Sequence, residues 1–459
     1  MNFEVYSRKV TLPVSAEEAF AWHERPGALE RLIPPWEDVR VASHGEGIRN
    51  GSRVVLVTRQ GPLRLRWVAE HCDYQEGQQF RDIQVEGPLR HWNHTHTFHQ
   101  ATKDTSVLED HVEYCLRGGV IGKIAAGRAI RTKIERMFAY RHATTTADLA
   151  AHAKHRRQGT MHVAITGSHG LIGRELVPFL TTGGHRVTAL VRGEASLGQL
   201  SWDPAVGSLN ASELDGIDGV VHLAGENIAA SRWTEAHKRR VIESRVQGTR
   251  LLCEGLAKLP SPPKVLVSAS AIGFYGNRGD KILDEDSPSG EGFLASVARE
   301  WEAATKLAAD AGIRVVHLRF GIVLSPRVGA LAKMLIPFKL GGGGPIGSGR
   351  QYWSWISADD AVGAIHHALM TDSLHGPVNA VAPSPVTNIE FTKTLGRVLS
   401  RPSIVRVPAL AARIALGEMA DELLLSSTRV HPSRLANSGY AFRHDSLEDA
   451  LRHVLGRTT

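Results

Sequence analysis

Hydrophobic and polar positions follow two rhythms along this chain, and the change falls near residue 160. Before it, short segments alternate apolar and polar residues with the period of two that a half-buried strand imposes. Residues 52–58, 63–71, 79–85, 91–99 and 106–116 are such segments, separated by turns containing Gly, Pro or Asp. They predict a meandering antiparallel sheet. A helix is predicted over 16–32, opened by Ser15 with Glu18 three residues on, and a longer one over about 122–152.

After residue 160, short apolar strands alternate with amphipathic helices, the order that builds a parallel sheet with helices on both faces. At 459 residues the chain is also longer than one core usually organises. Two domains are therefore expected: 1–152, α+β, and 161–459, α/β with a doubly wound Rossmann sheet and a small C-terminal substrate lobe from about residue 385. The polar stretch AHAKHRRQGT ends the first half, so 153–160 reads as a linker.

Charge and composition narrow the possibilities. The formal charge is +7, but Lys and Arg are scattered, and their densest cluster, Lys154 to Arg157, falls in the linker. That distribution argues against a nucleic-acid face and is compatible with an anionic cofactor. No apolar run is long enough to span a bilayer, and the opening MNFEVYSRKV lacks the apolar centre of a secretory signal. Cys72, Cys115 and Cys253 are too few and too scattered for a disulfide framework or a zinc site, which points to a reducing cytoplasm.

The chemistry concentrates after Met161. MHVAITGSHGLIGRELVPFL reads as a strand, a glycine-rich turn and a helix. Gly167, Gly170 and Gly173 stand where a tight turn, close approach to a pyrophosphate and tight helix packing each leave no room for a side chain. Ser168, Leu171 and Ile172 complete the turn, and the helix N-terminus that follows suits phosphate. The next strand, HRVTALVR, ends in Arg192 where an NAD-specific site presents Asp or Glu. A guanidinium there would grip a 2'-phosphate and argues for NADP(H). Leu223, Ala224 and Gly225 end a further strand with small residues that let the chain pass close under a cofactor, and the following helix contributes Arg245.

In the first half, HWNHTHTFH puts Trp92, His94, His96 and Phe98 on one strand face. Two histidines at that spacing are able to ligate a metal, but the sequence identifies no Asp, Glu or Cys partner. Cavity or surface lining is the preferred reading, with no metal expected.

The set TGSHGLIG, HLAGENI, ESRVQGT, VSASAIGFYG, EDSPSG, REWE, LRFGIVLS, LGGGGPIGSGRQYWSWI, APSPVTN and RVHPSRLANSGY resembles the atypical extended short-chain dehydrogenase/reductases, the epimerase family. That resemblance covers residues 161–459 and implies NADP bound by Gly167, Gly170, Gly173, Arg192, Leu223, Ala224 and Arg245. The element order of the first half, with LPVSAEEAFAWHERPGALERLIPPW, resembles the START/polyketide-cyclase-like (SRPBCC) helix-grip domains, which enclose an apolar ligand cavity. Some members of the epimerase family carry such a domain. Related folds also pair through Rossmann helices, so a homodimer is among the expectations.

Typical extended members use a Ser or Thr after the fourth strand with a Tyr-x-x-x-Lys pair, the Lys lowering the tyrosine pKa for proton transfer. Ser270 fits the first role. At the place of the pair stand Phe293 through Val297, with neither phenol nor amine. Tyr275 in the GFYG loop is the candidate substitute acid, ahead of Glu300, Glu302 and Lys306 in the next helix. Asp359 and Asp360 are expected to cap a helix from Ala361, and Trp353 and Trp355 to pack in the core or stack on substrate. The expected function is an NADP(H)-dependent oxidoreductase or epimerase with a small-molecule substrate. The alternative is a non-catalytic NADP(H)-bound sensor or scaffold coupled to an apolar ligand in the first domain.

Overall fold

The computed structural model describes residues 3–60 and 63–457, so the outermost residues of both expected domains lie outside the described residues. Its described chain divides into two compact units, 3–160 with Pro178–Gly184, and 161–177 with 185–457.

The first unit is built on an antiparallel sheet of β1 (Glu4–Leu12), β2 (Val39–Ser43), β3 (Arg53–Gln60), β4 (Leu63–Gln75), β5 (Gln79–Glu86), β6 (His91–Thr102) and β7 (Thr105–Cys115). Their order is β1-β7-β6-β5-β4-β3-β2. Helix α3 (Gly119–Lys154) supplies Ile134, Phe138 and Leu149 to the core, against sheet residues Tyr6, Trp92, Phe98 and Val112. It runs into the segment expected as linker, and a single 3-10 turn follows over Arg156–Gln158.

Strands β1 and β2 carry no clear alternation, and the sequence reading leaves them out. β1 pairs with β7 along its whole length, Glu4 opposite Tyr114 through Leu12 opposite Ser106, so its partner holds what its own pattern does not announce. The single helix expected over 16–32 is two, α1 (Ala16–Glu24) and α2 (Ala28–Leu32). Pro26 disfavours helical geometry at Arg25, which is extended (φ −68°, ψ 146°), and Gly27 turns the chain with φ +96°. Ser15 does cap α1, accepting from the Glu18 amide at 3.3 Å, while the Glu18 carboxylate pairs with Arg25.

The second unit holds β8 (His162–Thr166), β9 (Arg186–Val191), β10 (Gln199–Asp203), β11 (Ser208–Leu209), β12 (Gly219–His222), β13 (Val265–Ala271), β15 (Arg314–Phe320) and β19 (Gly376–Ala380) in one sheet. The short strands β14 (Ile282–Leu283), β16 (Ile322–Leu324), β17 (Tyr352–Trp353) and β18 (Trp355–Ser357) lie outside it. Sheet order is β11-β10-β9-β8-β12-β13-β15-β19, parallel except for β10 with β11. Strand order reverses at β8, which has β9 on one side and β12 on the other, and ligands of such sheets bind beyond the strand ends at that point. Helices α4 (Gly173–Thr182), α5 (Glu235–Leu256), α6 (Phe293–Ala303), α7 (Lys306–Asp310), α8 (Gly329–Lys339) and α9 (Ala358–Met370) connect the strands.

One local expectation changes, and of the two readings offered for Trp353 and Trp355 core packing is the one found. The cap of α9 is Ser357, whose hydroxyl accepts from the Asp360 amide at 2.9 Å, while the Asp360 carboxylate accepts from the Arg443 amide at 2.7 Å. Trp353 and Trp355 both belong to the buried cluster of the C-terminal lobe, with Phe391 and Leu395. Among the described residues no helix is long and apolar enough to cross a membrane.

Candidate functional site

The end of β8 delivers the chain into the glycine turn. Gly167 takes φ +71°, and a Cβ on it would lie 2.8 Å from the Leu223 carbonyl carbon and 2.9 Å from the Ala224 nitrogen. A Cβ on Gly173 would collide with the Gly167 carbonyl oxygen, and one on Gly170 would stand 3.1 Å from the same atom. The turn is thus folded against the end of β12 at a separation only glycine permits. Ser168 is buried within it, Leu171 and Ile172 are half-buried, and Arg174 clips its outer side by donating to the carbonyls of His169 and Gly170.

A buried hydrogen-bonded column fixes the two strand ends. Thr166 Oγ1 accepts from the amides of Leu223 (3.1 Å) and Ala224 (3.2 Å) and lies 2.8 Å from His222 Nδ1. On its other side, His222 Nε2 is 3.0 Å from Thr249 Oγ1 of α5. Burial pulls His222 down to about 4, so the ring is neutral near pH 7; Thr166 donates to Nδ1 and Nε2–H donates to Thr249.

Arg192 follows β9 and is exposed. Arg245 is engaged within the protein: its Nη1 donates to the carbonyls of Glu226 (3.0 Å) and Val241 (3.2 Å), and its guanidinium lies 4.9 Å from the Trp301 ring centroid. Burial lowers it to about 10, leaving it charged. A Cβ on Gly225 would stand 3.2 Å from that guanidinium carbon, which joins Gly225 and Arg245 as neighbours.

Ser270 and Tyr275 sit in one buried network. Ser270 Oγ donates to Glu302 Oε1 at 2.7 Å; Arg319 donates to Glu302 through Nε and Nη2, both at 2.8 Å, and to the Tyr275 oxygen through Nη1 at 2.9 Å. The Tyr275 hydroxyl then donates to Asn379 Oδ1 at 2.7 Å. Burial raises the Tyr275 phenol, and although burial also opposes ionisation of Glu302, hydrogen bonds from Arg319 hold that carboxyl below its ordinary range. Tyr275 has no exposed surface, and both bonding roles of its hydroxyl are taken inside the protein.

Of the helix candidates, Glu302 enters this network, while Lys306 pairs with Asp310 and Glu300 accepts from Ser296. Arg319 and Asn379 go unnoticed in the sequence, although a charged residue inside the apolar strand VVHLRF is a usable signal. At the start of α6, where the family's tyrosine would stand, the Glu422 carboxylate accepts from the Phe293 amide at 3.1 Å and the Leu294 amide at 3.2 Å. The Phe293 ring is 5.0 Å from that of Trp233.

Comparison with known proteins bears on the family and the fold. Residues 163–380 match the NAD dependent epimerase/dehydratase family, residues 12–139 match polyketide cyclase / dehydrase and lipid transport, and residues 407–454 match a domain of unknown function. An epimerase family protein of Mycobacterium bovis is 43% identical over 296 residues, 64% of this chain and 98% of its own. The human epimerase family protein SDR39U1 is 39% identical over 298 residues, 64% of this chain and 100% of its own. Among solved structures, a nucleoside-diphosphate sugar epimerase from Corynebacterium glutamicum is similar over 98% of this chain and 90% of its own, with 34% identity and a TM-score of 0.82. The human SDR39U1 structure, which contains NADPH, is similar over 65% of this chain and 100% of its own, with 36% identity and a TM-score of 0.61.

Proposed function

Because this chain belongs to the epimerase family and has its NAD(P)-binding fold, we propose that it is an NADP(H)-dependent oxidoreductase or epimerase with a small-molecule substrate. The observation that carries the reading is the glycine turn at the order reversal of the sheet, with the exposed Arg192 at the end of the next strand. The NADPH in the related human structure supports it.

In this reading the backbone from Gly167 to Gly173, with Ser168, Gly170, Leu171 and Ile172, would hold the pyrophosphate, and Arg192 the 2'-phosphate. Leu223, Ala224 and Gly225 would pass beneath the cofactor, with Arg245 fixing the wall behind Gly225. The nicotinamide supplies or accepts the hydride when bound. Ser270 is the residue we place against substrate. Its proton is committed to Glu302, which leaves its oxygen to receive a hydrogen bond from a substrate hydroxyl. Tyr275 is a positioning residue that acts through Arg319 on Glu302. Residues 1–152 form the ligand-binding domain, 153–160 the linker, and 161–459 the catalytic domain. The unpaired Cys72, Cys115 and Cys253 suit a cytoplasmic enzyme.

NADPH turnover against a panel of carbonyl substrates tests the proposal. Ser270→Ala should lower kcat at unchanged NADPH affinity, and Tyr275→Phe should shift the pH profile of kcat with little effect on KM for NADPH. Unchanged kinetics in both variants would remove these roles.

A second reading, a nucleotide-bound sensor without turnover, is favoured by Phe293 in place of the tyrosine and by the Glu422 carboxylate across the first amides of α6. Tight NADPH binding with no hydride exchange across the panel would select it.

A further inference from the structure

Strand register in the first unit gathers ionisable side chains that the nucleotide chemistry does not use. β5 sets Asp82 opposite His94, and β7 sets Asp110 opposite His96. Because His94 and His96 are two residues apart on β6, all four side chains meet on one face of the sheet. From α3, His142 reaches the same place, its Nε2 2.5 Å from Asp110 Oδ2. His94, His96, Asp110 and His142 are all buried, while the Asp82 side chain keeps 18% of its surface in contact with solvent.

The two carboxylates do different things. Asp110 Oδ1 lies 2.9 Å from His94 Nε2 and 2.7 Å from His96 Nδ1. It is hydrogen-bonded to His94 Nε2 and stands close to His96 Nδ1, which has no hydrogen-bond partner of good geometry, and the other nitrogen of each ring is turned away from it. Those two, His94 Nδ1 and His96 Nε2, face a single oxygen, Asp82 Oδ1, at 3.1 Å and 3.7 Å. The three atoms lie within 4.8 Å of one another. Donor atoms each about 2.0–2.2 Å from a shared ion stand at such separations. The second Asp82 oxygen accepts from Trp92 Nε1 at 3.1 Å, which presents Oδ1 alone to the histidines. Phe80 stacks on His96 at 4.2 Å between centroids and fixes that ring plane. Close by, His142 Nδ1 is buried without a hydrogen-bond partner.

We propose that Asp82, His94 and His96 form a binding site for a divalent transition-metal ion, with Asp110 orienting the His94 imidazole from behind and Phe80 holding the His96 ring. Two imidazoles and one carboxylate suit Zn²⁺ or Fe²⁺ rather than Ca²⁺ or Mg²⁺, which favour oxygen donors. The Asp110 carboxylate bonded to His94 Nε2 is the arrangement by which metal-binding histidines have their second nitrogen fixed. Three protein donors leave a further coordination position for water or a ligand carried in this domain. The partly exposed Asp82 marks the side from which an ion reaches the buried rings.

The test uses full-length protein stripped with a chelator and titrated with Co²⁺, followed by calorimetry and visible absorption, with Zn²⁺ as competitor. One Co²⁺ per chain is expected at this site, displaced by Zn²⁺. Asp82→Asn and His96→Gln should each weaken binding at least tenfold, and Asp110→Asn, acting through the His94 ring, by about 10–100-fold. Asp359, His444 and His453 gather in the second unit, as do His185 and His366, so Asp359→Asn and His366→Gln serve as controls that leave the bound Co²⁺ in place. Saturable binding that survives unchanged in both Asp82→Asn and His96→Gln would overturn the proposal, as would no saturable binding at all. Should either variant fail to fold, Cu²⁺ bound to a chain carrying both Asp359→Asn and His366→Gln is read by electron paramagnetic resonance. Splitting by two imidazole nitrogens is expected there, and its absence overturns the site.

Discussion

The guanidinium of Arg319 meets the carboxylate of Glu302 through two parallel hydrogen bonds of 2.8 Å, Nε to Oε1 and Nη2 to Oε2. Both groups are largely withdrawn from water, with 4% and 12% of the side-chain surface exposed. Removing one member of such a pair strands the other, whereas replacing both by apolar residues of similar volume removes the desolvation cost as well.

Glu302→Met and Arg319→Met should therefore each cost about 3–5 kcal/mol of stability, while the double variant Glu302→Met, Arg319→Met recovers most of it. Urea unfolding of the four proteins of the cycle measures the coupling. Equal losses in the single and double variants would mean that the pair is not a unit.

Arg192 is the selectivity prediction. Arg192→Ala should weaken NADPH by about 10–100-fold, on the scale of a lost charge-assisted contact, and leave NADH nearly unchanged. Calorimetric titration with both nucleotides checks this. A parallel loss for both would place the guanidinium somewhere other than on the 2'-phosphate.

Gly173→Ala tests the closeness of the turn. The added methyl group has backbone as its obstacle, the Gly167 carbonyl, so the glycine loop must shift rather than a flexible side chain. Nucleotide affinity should fall by more than tenfold, a loss of at least about 1.4 kcal/mol, with the first unit unaffected by circular dichroism. Wild-type affinity in this variant would show the turn to be looser than its geometry implies.

His222 sets a pH dependence whose sign is fixed by its depressed value of about 4. The unfolded chain takes up the proton near pH 6.5, whereas the folded chain refuses it until about 4. The stabilising difference is therefore fully present above pH 6.5 and is lost as pH falls toward 4, by on the order of 3 kcal/mol. Urea midpoints at pH 7 and pH 4.5 should separate less in His222→Gln than in the parent. An identical separation would exclude His222 as the cause.

What the sequence made legible is what is local in it. The glycine turn between strand and helix, and the alternation of Trp92, His94, His96 and Phe98, are each decided within about ten residues, and the four strand residues are all buried as the period of two requires. β1 was not legible because its pairing partner, β7, begins more than ninety residues later. The Ser270 network was half legible. Ser270, Tyr275 and Glu302 stand out by motif, but Arg319 and Asn379 join only because β13, β15 and β19 are neighbours in the sheet, with Asn379 104 residues from the hydroxyl it receives. The carboxylates facing the β6 histidines were not legible for the same reason: they come from strands on either side.

The pairing of β6 with its two neighbours also decides where this domain tolerates change in length. Inserting one residue between Trp92 and His94 would rotate every later side chain of the strand to the opposite face, sending the two imidazoles and the Phe98 ring outward and threonines inward. The exposed hairpin tip at Lys103 and Asp104 has no such constraint. A peptide tag or reporter spliced there leaves the strand in phase, which makes that tip the natural handle for labelling or tethering the protein.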